Sequence, residues 1–76
     1  MTSYADLGDY ESARAARHLG EGRDDAAVTS AQLAVACYRM AGARAVAASA
    51  GGGVWEDHAV EMEKFIERFR ESEATT

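Results

Sequence analysis

Four side chains in this sequence are of the types that hold metals or move protons in helical proteins: Glu11, His18, His58 and Glu61. Carboxylate and imidazole donors together suit iron, manganese or zinc, and helical bundles present such donors inward from facing helices. Glu11 and His18 lie seven residues apart, and His58 and Glu61 three, so each pair shares a helix face. If those faces met, two carboxylates and two imidazoles would converge. The order argues against it. Carboxylate-bridged di-iron sites use Glu-x-x-His, whereas this chain reads His58-x-x-Glu61. The simpler reading is two half-buried histidines bonded to nearby acids. No metal and no cofactor are therefore expected, and a metal-binding helical bundle using Glu and His stands as an alternative.

Other chemistry fares less well. Cys37 is the single cysteine, so it forms no internal disulfide and no paired-cysteine zinc site. It sits among alanines with no basic neighbour, the setting of a small hydrophobe rather than a nucleophile. Arg14, Arg17, His18 and Arg23 gather within ten residues and would suit phosphate, but acids are interspersed and the net charge is −5. A solvated face is expected there, and no nucleic acid. Gly51-Gly52-Gly53 is followed by Val54-Trp55. A phosphate-binding loop of the Walker type needs Lys-Ser/Thr at that point, and a dinucleotide loop needs a preceding strand. The triple glycine is read as the corner between two helices. No catalytic residue set emerges, and the chain is read as not an enzyme.

The elements that position these residues follow from composition. Seventy-six residues form a single domain (1–76) with a marginal core, which good helix packing or oligomerisation must support. Proline is absent and alanine occupies 17 positions, so an all-α chain is expected. The N-terminal residues lack the pattern of a secretory signal, and Arg39 and Arg44 interrupt the least polar stretch. A cytoplasmic protein with no membrane partner is expected.

Three helices are read at about 3–19, 25–50 and 54–72, with a frayed tail at 73–76. In the first, Tyr4, Leu7, Gly8, Ala15 and Leu19 share a face with Glu11 and His18. The second begins at Asp24 or Asp25 as N-cap and shows two apolar faces. One holds Leu33, Ala36, Cys37, Met40 and Ala47; the other holds Val28, Ala31, Val35, Tyr38 and Gly42. Gly42 is a kink, a close contact or a break. The third carries Trp55, Ala59, Met62, Phe65, Ile66 and Phe69 as one stripe, with charged residues over most of the rest.

Residues 7–16, Leu-Gly-Asp-Tyr-Glu-Ser-Ala-Arg-Ala-Ala, resemble the second helix of a tetratricopeptide repeat. Gly42 follows Gly8, and Ala47 follows Ala13, at that repeat's period. The sequence departs from the pattern where Leu-Gly is replaced by Ala34-Val35 and where the inter-repeat proline is missing. One unit and a half makes no array alone, and no family is assigned on this stretch. Acyl carrier proteins are also acidic and helical at this length, but their Asp-Ser-Leu does not occur here.

These observations point to a three-helix unit or long helical hairpin, assembling into an oligomeric bundle. Its expected work is binding protein, as at least a homodimer or with a hetero-partner. Trp55, Met62, Phe65 and Phe69 are the candidate interface residues, since aromatics and methionine anchor interfaces. The same stripe would serve equally as internal core. A further alternative is an inhibitor or antitoxin-like protein whose acidic third helix occupies a basic site on its target.

Overall fold

A computed structural model describes residues 3–48 and 53–74, with side chains described as far as Glu71. Among these residues there is no strand, and three helices account for nearly all of them: α1 (Tyr4–Gly20), α2 (Asp24–Ala47) and α3 (Gly53–Ala74). Neighbours in sequence run antiparallel, and α2 packs against both of the others. The result is a flattened layer with Cα extents of 45 × 25 × 12 Å.

The ends of α1 are set by side chain and glycine chemistry. Ser3 is its N-cap, and the Ser3 Oγ accepts from the Asp6 N–H at 3.1 Å. At the other end Gly22 takes φ 77°, a left-handed conformation that favours glycine. The Arg23 N–H then donates to the His18 carbonyl at 2.8 Å, and the Gly22 N–H to Leu19 at 3.1 Å. That pair of bonds is a Schellman closure. It also explains a difference from the sequence reading. Because the connector is so short, the α2 N-cap is Arg23, with no side-chain cap bond, while Asp24 and Asp25 occupy the first turn. Both acids still face the positive end of the helix dipole.

Helix α2 passes through Gly42 without a break and ends at Ala47, three residues sooner than expected. An unbroken helix there leaves no room for the turn that a second tetratricopeptide unit would require. Helix α3 continues to Ala74, two residues past its expected end, so part of the expected frayed tail is helical. The corner expected at Gly51-Gly52-Gly53 falls mostly outside the described residues, and Gly53 is the first residue of α3.

The buried stripe of α2 is Ala27, Ala31, Ala34, Tyr38 and Ala41, a spacing that alternates four and three. It shares Ala31 and Tyr38 with the second face read from the sequence, whose Val28, Val35 and Gly42 are half-buried, and takes no residue of the first. Val28 and Val35 flank it and pack with Ala31, with Ala15 of α1 and with Ile66 of α3. Leu33 and Met40 lie outside it, 49% and 45% exposed. The selection is steric. Where two neighbours close on one helix, alanine lets the axes approach and larger side chains are displaced to the rim. Ala15 on α1 and Ala59 on α3 complete this small-residue interior.

An interior packed this closely should reject volume where it is deepest. Ala34, fully buried, changed to Leu is expected to cost about 1–3 kcal/mol in urea denaturation. Ala13→Leu, exposed on α1, should be neutral within about 0.5 kcal/mol. Equal effects at the two positions would contradict the assigned burial.

Candidate functional site

The densest set of specific contacts centres on Tyr38, which is 3% exposed. Its ring lies against the backbone of α1 at Gly8. A methyl group at Gly8 would stand 2.7 Å from Tyr38 Cε1 and 2.8 Å from Cδ1, closer than real contacts permit. The phenol donates to Asp9 Oδ1 at 2.7 Å and lies 3.4 Å from Ser12 Oγ. Three consecutive requirements on α1 therefore follow from one ring on α2. Position 8 must be bare, position 9 must accept a hydrogen bond, and position 12 must tolerate a polar tip.

The ring also meets α3. His58 stacks on it at a centroid distance of 5.1 Å, and Trp55 lies nearly parallel at 6.3 Å. Trp55 and His58 also touch each other at 5.8 Å. Offset aromatic pairs of this kind add about 0.5–1.5 kcal/mol beyond their buried area. Farther along α3, Met62 packs into the core on both sides, and its sulfur accepts from Ser12 Oγ at 3.2 Å. Phe65 packs on the Ala15–Ala31–Ile66 cluster, and Phe69 meets Phe65 at 5.2 Å with the rings tilted. Arg39 of α2 clamps α3 from outside through Glu63 and, at 3.7 Å, Glu56. Those pairs are exposed and contribute little.

The four interface candidates from the sequence are thus placed together on the inward edge of α3. Trp55, Met62, Phe65 and Phe69 are each half-buried against α2 or one another. The four candidate metal ligands are not brought together. Glu11 is buried, with one oxygen 3.3 Å from Arg14 Nη1 and the other without a partner. His18 keeps a buried Nδ1 without a partner farther along α1. His58 is engaged in the ring stack, and Glu61 pairs with Lys64 at 3.5 Å on the outer surface. Among the described residues no group of three or more His, Cys, Asp or Glu side chains gathers into a metal site. The failure is one of direction: the His58 and Glu61 side chains diverge on α3.

Electrostatics assigns roles to two further groups. Burial pushes the Tyr38 phenol above its ordinary value, the Asp9 carboxylate adds to this, and the Ser12 bond opposes it. The neutral phenol is the form the fold requires. Burial also raises the Cys37 thiol, with the Glu11 carboxylate contributing, so the thiolate needed for nucleophilic attack is disfavoured. Sequence reading missed the Gly8–Tyr38–Asp9 unit. Its one visible signal was a glycine at an interior helix position opposite an aromatic residue.

Comparison with known proteins finds no matching family model, no matching curated protein and no matching solved structure.

Two measurements test the Tyr38 unit. Gly to Ala inside a helix ordinarily gains about 1 kcal/mol. Gly8→Ala is expected to lose about 1 kcal/mol instead, because the Tyr38 ring must move. Gly20→Ala, where a Cβ meets nothing within 4 Å, should show no such loss. The second concerns alkali. A raised folded-state value means that the phenol's contribution is complete below the ordinary tyrosine pKa of about 10. It is lost as pH rises through the raised value. Tyr38→Phe should therefore flatten the alkaline fall in stability while lowering stability at neutral pH by about 1 kcal/mol.

Proposed function

We propose that this chain is a small non-enzymatic helical module that works by binding protein, first of all a second copy of itself. The observation that supports this reading is the mismatch between a small interior and large residues left outside. Among the described residues no large side chain is fully buried, and six of the eight buried apolar residues are alanines. Leu7, Tyr10, Leu19, Leu33, Met40, Val46, Val54 and Val60 are all more than a third exposed. A core of alanines contributes little transfer free energy per residue, so a chain of this size gains from apolar area buried elsewhere.

The layer geometry suggests where. Helix α2 uses one flank for α1 and another for α3, and its remaining face carries Leu33, Ala36 and Met40. These three follow the three-and-four spacing of a helix–helix seam. Docking there would leave the Trp55–Phe69 stripe in its internal role and extend the layer to a second one. Isologous two-fold pairing is the commonest arrangement for such a seam. The expected assembly is at least a dimer.

Analytical ultracentrifugation and light scattering test this directly. Wild-type protein is expected to associate in a concentration-dependent way, with its melting temperature rising alongside. Leu33→Glu and Met40→Glu should weaken association about tenfold or more while leaving a folded monomer, since both positions are half-exposed. A folded monomer at every accessible concentration would overturn the homo-oligomer reading.

A further inference from the structure

One end of the layer holds a cleft of about 460 Å³, where the first turn of α1, the last turns of α2 and the first turn of α3 meet. Its volume falls within the ordinary range for small-molecule sites. Tyr4, Leu7, Ala41 and Trp55 give it apolar walls, and Ser3 and Arg44 supply its polar groups. None of the lining side chains is acidic, in a chain whose net charge is −5.

Arg44 is the notable member. Its guanidinium lies 4.9 Å from the centre of the Tyr4 ring. It has no carboxylate partner among the described residues, unlike Arg14, Arg23 and Arg39. A guanidinium stacked on an aromatic face is held in position with its edge free, and that edge matches a carboxylate in a bidentate pair. An oriented cation beside aromatic walls, with no acid among the described lining residues, describes a recognisable ligand.

We propose that this cleft binds a small organic anion with a flat apolar body, of the arylalkyl carboxylate class. The ring lies between Tyr4, Leu7 and Trp55, and the carboxylate accepts from Arg44. This goes beyond self-association and does not depend on it, because Leu33 and Met40 are not part of the cleft.

Trp55 is the only tryptophan, so its emission reports occupancy. The probes are 4-phenylbutyrate and its neutral amide, titrated into the full chain. A saturable change with the acid is expected, with the amide about tenfold weaker because the charge-assisted bond is lost. Arg44→Gln should abolish the preference for the acid, and Arg44→Lys should keep part of it. Circular dichroism checks that the variants are folded; should Arg44→Gln fail to fold, the acid–amide comparison on the wild type decides alone. No saturable change with the wild type, equal affinity for acid and amide, or undiminished binding of the acid by Arg44→Gln would overturn the proposal.

Discussion

The Tyr38 ring lies close against α1 because position 8 has no side chain, and most of the remaining architecture depends on that contact. With the ring seated against Gly8, the phenol reaches Asp9, and the ring stacks with His58 and Trp55 of α3. One side chain therefore ties the central helix to both neighbours. The buried alanines above and below it then follow, because helices held that closely admit little else along the line of contact.

A close-packed interior of small residues has an energetic consequence. Apolar burial per residue is low, so the fold leans on specific contacts: the aromatic stack, the Tyr38–Asp9 bond and the Ser12–Met62 contact. Each is worth on the order of 1 kcal/mol, and together they matter in a chain whose total stability is only several kcal/mol. The same economy leaves Leu33 and Met40 at the surface. Internal packing and proposed association are in this sense two sides of one choice of side-chain size.

Helix content and approximate ends were legible in the sequence, since alanine abundance, absent proline and the glycines at 20 and 22 act locally. The inward stripe of α3 was legible as well, because Trp55, Met62, Phe65 and Phe69 contrast sharply with the charged residues around them. The buried line of α2 was legible only in part: Ala31 and Tyr38 fell on one of its two apolar faces, whereas Ala27, Ala34 and Ala41 did not stand out. Hydrophobicity alone ranks Leu33 and Met40 above Ala27 and Ala34, and only the closeness of the neighbouring helices reverses that order. The pairing of Gly8 with Tyr38, thirty residues away, is equally invisible to local pattern. Glu11, His18, His58 and Glu61 do not gather for a related reason: residue spacing places side chains on a face but does not aim them at one point.

The central claim, that Tyr38 is bedded on Gly8, is tested most directly by nuclear magnetic resonance in solution. The account predicts nuclear Overhauser contacts between the Gly8 α-protons and the Tyr38 ring protons, with the Gly8 signals displaced from their ordinary position by the ring current. Gly8 α-protons at their ordinary position, showing contacts to no aromatic ring, would contradict it.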